Sequence, residues 1–236
     1  MCGRYSAENP SVPQLEAEFD LNDIRLVPRF NIAPTQTAPV IVQGEDGRHA
    51  LQQYRWGLLP FWAKSTSEGA RMINARSETV AKLPAYRSAF KSKRCLVVAD
   101  GFYEWIQSVK PKQPLRFILK DHDSPMLMAG LWESWQPAHE EHPLHTFTIC
   151  TTTANELVSP VHDRMPVILP QQQWHRWLDP RSSPEDLQAL LQPLDASLMD
   201  CYKVTPKMNN ARFEDPAATQ TYQDEDPQAE VPVNSK

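Results

Sequence analysis

Short runs of β-prone residues, separated by turns that are rich in proline, are the feature that most constrains the fold of this chain. The 236 residues include 22 prolines, and proline favours turns because it cannot donate a backbone hydrogen bond inside a sheet. The runs combine β-branched, aromatic and other apolar residues. The predicted strands are residues 38–43, 49–56, 95–106, 115–119, 126–131, 146–151 and 198–204.

Helical patterning is confined to a few short stretches. Apolar residues recur at helix spacing from Val12 to Phe19, residues 83–93 have a basic outer face, and residues 171–178 and 184–191 predict two late helices. Strands and helices do not alternate regularly, which disfavours a doubly wound parallel sheet. We therefore predict an α+β fold: a single domain on a curved, barrel-like, mainly antiparallel β-sheet with a few peripheral helices.

Charge is distributed unevenly along the chain. The net charge of -5 argues, as an average, against a nucleic-acid binder. Residues 214–236 alone carry that excess, however, and residues 48–120 hold 14 Lys and Arg against four Asp and Glu. We predict a folded domain over residues 1–213 and an acidic, disordered tail over residues 214–236. The basic stretch fits either a polyanion site or charge pairing within the fold.

The chain has no apolar window long enough to cross a membrane and no signal sequence at its start. We expect a cytoplasmic protein without a membrane partner. The four cysteines, at positions 2, 95, 150 and 201, lack metal-ligand spacing. Neither a metal, another cofactor nor a disulfide framework is predicted, and Cys95 and Cys150 are expected to be inert core thiols.

Cys2 follows the initiator methionine directly, and this methionine is generally removed when the second residue is small. The result would be a 1,2-aminothiol whose amine has a reference pKa of about 7.7 to 8.0. Such an amine can form a Schiff base with an aldehyde, and the thiolate can then close onto the imine carbon to give a thiazolidine ring. The alternative is a cysteine that simply stands at a frayed terminus.

A series of short motifs follows Met-Cys-Gly-Arg in a fixed order. Its members are Phe-Asn-Ile-Ala-Pro around Asn31, Trp-Gly at 56–57, Pro-Phe-Trp at 60–62, Ile-Asn-Ala-Arg-Ser-Glu-Thr at 73–79, Arg-Cys-Leu at 94–96, Ala-Asp-Gly-Phe-Tyr-Glu-Trp at 99–105 and His-Asp-Arg-Met-Pro at 162–166. Together they resemble the SRAP family (SOS response-associated peptidase), also described as abasic site processing proteins. The resemblance runs from residue 1 to about residue 212, so the acidic tail lies outside it.

This resemblance implies a DNA repair protein that removes its own Met1 and binds single-stranded DNA. Its Cys2 would form a covalent thiazolidine cross-link with the ring-opened aldehyde of an abasic site, which protects the strand from cleavage by β-elimination. The expected partner is single-stranded DNA with abasic sites, including sites at junctions with duplex. We expect a monomer that associates with the nucleoid when DNA is damaged.

The same resemblance implies three catalytic residues besides Cys2. Glu104 is the expected acid–base group, since aromatic neighbours would raise the pKa of its carboxyl; the alternative is a solvent-facing Glu at a strand end. His162 is the expected second proton-transfer group. Asn74 would hold the Cys2 amine and a sugar oxygen in register, although an Asn that stabilises a buried turn is the alternative.

DNA contacts are assigned in the same way. Arg4 and Arg76 match basic positions of the family and suit contacts to phosphates. Trp56, Phe61 and Trp62 are candidates for stacking on bases or for separating a duplex end. Some family members carry paired tryptophans where this chain has Phe61 and Trp62. For Trp56, packing in the core is the favoured alternative.

Other functions remain open from the sequence. Cysteine amidohydrolases with an N-terminal nucleophile also begin Met-Cys-Gly, but their glycine-rich continuation is missing from a chain with only seven glycines. The family name suggests a general peptidase, and the basic and aromatic residues alone could serve a non-catalytic single-strand binder.

Overall fold

The computed structural model describes residues 2–137 and 141–223, and it contains short helices and two β-sheets. The helices are α1 (Val12–Phe19), α2 (Arg87–Ser92), α3 (Trp174–Leu178) and α4 (Pro184–Leu190). The strands are β1 (Tyr5–Ala7), β2 (Arg29–Ile32), β3 (Thr37–Gln43), β4 (His49–Trp56), β5 (Asn74–Arg76), β6 (Arg94–Ala99), β7 (Gly101–Ile106), β8 (Gln113–Leu119), β9 (Met126–Trp135), β10 (Leu144–Thr153), β11 (Arg164–Pro166) and β12 (Met199–Lys203).

Five strands close into a barrel in the order β10-β4-β3-β6-β9, because β9 also pairs with β10. All of these pairings are antiparallel except the parallel pair of β4 and β10. The short strands β5 and β11 pair with β10. A second, antiparallel sheet has the order β12-β8-β7-β1-β2. The predicted α+β class with a barrel-like, mainly antiparallel sheet is confirmed.

Alternating residues of the barrel strands pack into two clusters, as expected for a strand with a side-chain period of two. Val40 and Val97 belong to a cluster that also holds Phe102 from the second sheet. Their sequence neighbours Ile41 and Leu96 instead belong to a cluster with the helices. The helices therefore cover one face of the barrel strands, and the other face joins the second sheet.

The predicted single strand at residues 95–106 is two strands, which belong to different sheets. The chain turns at Asp100, whose carboxylate accepts hydrogen bonds from Ser6 Oγ and from the backbone N–H groups of Glu8 and Asn9. The same carboxylate forms an ion pair of 2.8 Å with buried Arg116. These partners explain the turn: they fix the corner between β6 and β7.

The helix predicted over residues 83–93 is shorter in the structure, where α2 spans Arg87–Ser92. Pro84 disfavours helical backbone at Leu83, the first residue of the predicted stretch. The folded part also continues beyond residue 213, where the acidic tail was predicted to begin. Glu214 Oε1 accepts a hydrogen bond of 2.5 Å from the backbone N–H of Phe30, and Ala218 is completely buried. The start of the tail at residue 214 is therefore corrected, and the remaining predicted tail, residues 224–236, lies outside the described residues.

Candidate active site beside Cys2

Cys2 lies three residues before the internal strand β1 and is completely buried. β1 pairs on one side with β2 and on the other with β7. The backbone N–H of Tyr103 also bonds to the carbonyl of Arg4, two residues after Cys2. These contacts explain why the segment is ordered. The alternative of a frayed terminus at Cys2 is therefore wrong.

The segment that precedes Asn74 packs against the end of β4, and this packing brings Asn74 close to Cys2. Gly57 has a φ of +121°, and a Cβ there would lie 2.5 Å from the carbonyl oxygen of Gly69. Only glycine allows this approach. Trp56 Nε1 then donates a hydrogen bond of 2.9 Å to the carbonyl of Ile73, which places Asn74 at the beginning of β5.

The Asn74 side chain donates a hydrogen bond of 2.9 Å from Nδ2 to the Cys2 carbonyl. The partner is this carbonyl rather than the amine that the sequence prediction named. Asn74 Oδ1 is buried and accepts no hydrogen bond from the described residues. Because a buried acceptor without a donor is costly, this oxygen is a site at which a ligand group could bind.

Glu104 lies in the middle of β7 and is only 5% exposed. Burial, with a smaller contribution from the Asp163 charge, raises the pKa of its carboxyl to about 7. The alternative of a solvent-facing Glu at a strand end is wrong. A carboxyl with this pKa exchanges protons readily near neutral pH, as an acid–base group must.

The Cys2 thiol is the neighbour of Glu104. Burial, and next the negative charge of Glu104, raise the pKa of this thiol far above its ordinary value. The thiol is therefore protonated at neutral pH and needs a proton acceptor before it can act as a nucleophile. In the structure the thiol donates a hydrogen bond of 3.8 Å to the carbonyl of Arg4.

His162 lies in the loop between β10 and β11 and is half-buried. Its Nδ1 accepts a hydrogen bond of 2.9 Å from the backbone N–H of Arg164 and lies 2.9 Å from Asp163 Oδ1. Burial lowers the pKa of His162, while the Asp163 carboxylate opposes that shift. Since the same carboxylate acts on Glu104, the three groups form one electrostatic cluster.

An open groove of about 340 Å³ reaches Glu104 from the surface. Arg4 lies in it, with Nη1 2.8 Å from Asn31 Oδ1 and Cζ 5.5 Å from the centre of the Trp105 ring. The sequence prediction found Arg4 and Glu104 but missed other residues of the groove, although Lys112 belongs to the predicted basic stretch. The lining residues are Gly3, Arg4, Glu104, Trp105, Gln107, Lys112 and Asn209.

The predicted aromatic contacts divide into a core residue and a surface pair. Trp56 is completely buried against Tyr5, so no base can stack on it and the packing alternative describes it. Phe61 and Trp62 are 77% and 47% exposed, and their rings meet edge to face at 4.9 Å. Arg76 is exposed at the end of β5.

Phe61 and Trp62 form one wall of a larger groove of about 690 Å³. Arg87 and Lys91 of α2 also line this groove, as do Lys93 and Glu133, which form an ion pair of 3.0 Å. An exposed aromatic pair in a groove that also holds two cations outside this ion pair is a surface on which a nucleic acid strand could lie.

The two cysteines predicted to be inert are completely buried, and burial raises the pKa of both Cys95 and Cys150. Over residues 2–137 and 141–223, no group of three or more His, Cys, Asp and Glu side chains is arranged to hold a metal ion. No helix in these ranges is long and apolar enough to span a membrane.

Comparisons with known proteins agree with these motifs. The family model SRAP, SOS response associated peptidase, matches residues 1–211. Abasic site processing protein YoaM of Bacillus subtilis (strain 168) is 41% identical over 225 residues, which covers 91% of this chain and 98% of the relative. Abasic site processing protein YoqW of the same organism is 39% identical over 227 residues, 94% of this chain and 100% of the relative.

A solved structure has the same fold. The crystal structure of a protein from Bacteroides thetaiotaomicron matches with a TM-score of 0.83 at 26% identity. The match covers 94% of this chain and 100% of that chain.

Proposed function

Because this chain belongs to the SRAP family, we propose that it processes abasic sites in single-stranded DNA through a covalent bond to Cys2. The observation that carries the proposal is the placement of Cys2, which is completely buried beside a carboxyl whose pKa is raised to about 7. The relatives named above are abasic site processing proteins. Removal of Met1 by the protein itself is part of the proposal, since the chemistry needs the free amine of Cys2.

The reaction begins at the ring-opened aldehyde of the abasic site. The Cys2 amine adds to the aldehyde carbon to give a carbinolamine. Protonated Glu104 donates its proton to the carbinolamine hydroxyl, which leaves as water, and an iminium ion and the Glu104 carboxylate remain. The raised pKa of Glu104 supports this role, because the carboxyl is partly protonated at neutral pH.

Ring closure completes the cross-link. The Glu104 carboxylate takes the proton of the Cys2 thiol, and Sγ attacks the iminium carbon to close a thiazolidine ring. Glu104 is then protonated again, and water is the only product released. Because the ring removes the imine, the strand is protected from β-elimination. Asn74 Oδ1 and His162 bind the sugar hydroxyls and hold the aldehyde carbon near Cys2.

Two surfaces hold the strand near this site. Arg4 contacts a phosphate in the groove beside Glu104, and Arg76 contacts a second one. Phe61 and Trp62 provide exposed rings for bases. Since these cations are few, non-covalent binding is modest and sensitive to salt, and durable attachment comes from the covalent bond.

A cross-linking experiment tests the proposal directly. Wild-type protein incubated with abasic single-stranded DNA should give a slower band on a denaturing gel, and Cys2→Ala should give none. Cys201→Ala is the matched control, because this half-buried thiol lies in β12 and should be dispensable. Intact mass spectrometry should show a chain without Met1. A wild-type protein that runs free of abasic DNA, or one that retains Met1, would overturn the covalent mechanism.

A peptidase that acts on other proteins is the second candidate, since the family description names a peptidase. Steady hydrolysis of casein that depends on Cys2 would favour it. Release of glutamate from glutamine would instead favour an amidohydrolase with an N-terminal nucleophile. The proposed function requires that neither activity exceeds that of Cys2→Ala.

A further inference from the structure

Asn31 is a completely buried polar residue whose side-chain amide is held in one orientation. Its Nδ2 donates hydrogen bonds to the carbonyls of Phe213, at 2.7 Å, and Asn210, at 3.4 Å. A flipped amide would point its oxygen at these two carbonyl oxygens, which repel it. The oxygen must therefore face the other way, where it accepts the hydrogen bond of 2.8 Å from Arg4 Nη1.

Every described contact of the Arg4 guanidinium is with an uncharged group. Besides Asn31 Oδ1, Nη1 contacts the carbonyl of Met208 at 3.4 Å, and Cζ lies 5.5 Å from the Trp105 ring centre. The ion pairs seen among the residues that the structure describes all involve cations other than Arg4. The guanidinium is therefore fixed in place while its positive charge stays available.

Two other arginines show the contrasting arrangement. Arg116 pairs with Asp100 at 2.8 Å, and Arg164 pairs with Glu78. Their charges are neutralised by carboxylates, so they act inside the fold. An aspartate at position 31 would neutralise Arg4 in the same way. The uncharged Asn31 amide orients the Arg4 guanidinium through a hydrogen bond and leaves its charge unneutralised.

The Asn31 amide depends in turn on the segment after β12. Glu214 Oε1 accepts hydrogen bonds from the backbone N–H groups of Phe30, at 2.5 Å, and Asn31, at 3.3 Å. Together with the carbonyls of Asn210 and Phe213, it anchors this segment to β2. The C-terminal part of the fold thus reaches Arg4, which lies about two hundred positions earlier in the sequence.

We propose that Asn31 is a positioning residue that holds Arg4 in the groove with its charge unneutralised, ready for a phosphate of the bound strand. This inference rests on the proposed function, which assigns Arg4 to the DNA. It adds that the neutral Asn31 amide and the C-terminal segment set the strength of that contact.

A double-mutant cycle tests the inference with the full chain and intact single-stranded DNA that lacks an abasic site. Arg4→Ala should weaken binding about tenfold and reduce the salt slope by about 0.7, the value for one lost phosphate contact on a single strand. Asn31→Ala should weaken binding several-fold, and the double variant should bind no worse than Arg4→Ala. Additive losses would overturn the inference, as would an Asn31→Ala protein that binds normally.

Cross-linking kinetics separate positioning from damage to the fold. With abasic DNA at saturation, Asn31→Ala should react at the wild-type rate, while the DNA concentration for half-maximal rate should rise several-fold. A loss of the saturated rate would mean that Asn31 supports the catalytic cluster itself, which would overturn the inference. The wild-type cross-link to abasic DNA reports the proposed function independently of both outcomes.

A wild-type measurement covers the case in which Asn31→Ala does not fold. Addition of intact single-stranded DNA should shift the Asn31 side-chain amide resonances in the NMR spectrum, and this shift should be absent from Arg4→Ala. If the resonances do not move in the wild-type protein, or move equally in Arg4→Ala, Asn31 does not act through Arg4.

Discussion

At the scale of single residues, burial gives Glu104 a chemistry that a glutamate in water does not have. Its pKa of about 7 follows from its place in the middle of β7, with 5% of its surface exposed. Burial also raises the pKa of the neighbouring Cys2 thiol, which therefore stays protonated at neutral pH. In the proposed reaction, Glu104 is the proton acceptor and Cys2 is the nucleophile.

Glu104→Gln keeps the size of the side chain but removes its proton transfer. We expect cross-linking to abasic DNA to slow by about 10² to 10⁴, the usual contribution of a positioned acid–base group. The melting temperature at pH 7 should not fall, since an amide is no more costly to bury than a partly charged carboxyl. Rates from denaturing gels and thermal unfolding give the two results.

Exposed Glu68→Gln is the matched control and should react as the wild type does. A collapse of the melting temperature in Glu104→Gln would show that the carboxyl serves the fold instead.

The raised pKa of Glu104 also predicts how stability depends on pH. Between the ordinary value of 4.5 and about 7, the folded chain binds this proton more tightly than the unfolded chain. The contribution of Glu104 to the free energy of unfolding is therefore highest below pH 4.5 and falls as pH rises to about 7, by up to about 3 kcal/mol.

Urea unfolding of the wild type and of Glu104→Gln between pH 4.5 and 7.5 measures this fall. The difference between the two proteins isolates Glu104 from other titrating groups. Parallel pH profiles would contradict a raised pKa.

At the scale of elements, one short stretch carries aromatic residues with opposite tasks. Trp56 ends β4 and points into the cluster with Cys2, whereas Phe61 and Trp62 lie exposed a few residues later. Gly57, which has a positive φ, follows Trp56 directly, and the buried Leu58 and Leu59 come between it and the exposed pair. The three rings are close in sequence, but Trp56 lies in the core and the other two lie on the surface.

Alanine substitutions should reveal this division. Phe61→Ala should weaken binding of single-stranded DNA by about 1 to 3 kcal/mol, the cost of one stacked base, without lowering the melting temperature. Trp56→Ala should reduce the free energy of unfolding by about 3 to 5 kcal/mol through the cavity it leaves. Fluorescence anisotropy and urea unfolding measure the two effects. Normal DNA affinity of both Phe61→Ala and Trp62→Ala would exclude a stacking role for the pair.

At the scale of the whole molecule, the C-terminal segment closes the fold before the remaining acidic residues begin. Ala218 is completely buried, and the backbone N–H of Tyr222 bonds to the carbonyl of Lys203 in β12. Part of the predicted tail is therefore structural. Charge counting found the acidic excess but did not separate Glu214, which binds the backbone of β2, from the acids that follow residue 223.

Two truncations distinguish these parts. A chain that ends at residue 213 should unfold at a lower urea concentration than one that ends at residue 223, because it lacks Glu214 and the buried Ala218. Loss of the acids after residue 223 should strengthen DNA binding at low salt if they compete with the strand for the basic residues. Equal urea midpoints for the two truncated chains would contradict a structural role for residues 214–223. Unchanged DNA affinity at low salt would contradict competition by the acids after residue 223.

Much of the molecule could be predicted from the sequence, and the exceptions have physical causes. The long strands have a clear pattern, but β1, β2, β5 and β11 span only three or four residues, too few to show a period of two. Cys2, Glu104 and Asn74 were found through motifs. Asn31 was noticed only as part of a motif, because its task depends on carbonyls contributed by a distant segment.

The internal position of β1 ties the chemistry of Cys2 to the order in which the polypeptide is made. One of the two strand partners of β1, β7, lies about a hundred residues later in the chain and is synthesised after it. Until then the first cysteine has neither its burial nor Glu104, and contacts so distant in sequence form slowly. Under the proposed mechanism, an incomplete chain would therefore carry Cys2 without the carboxyl that takes its proton.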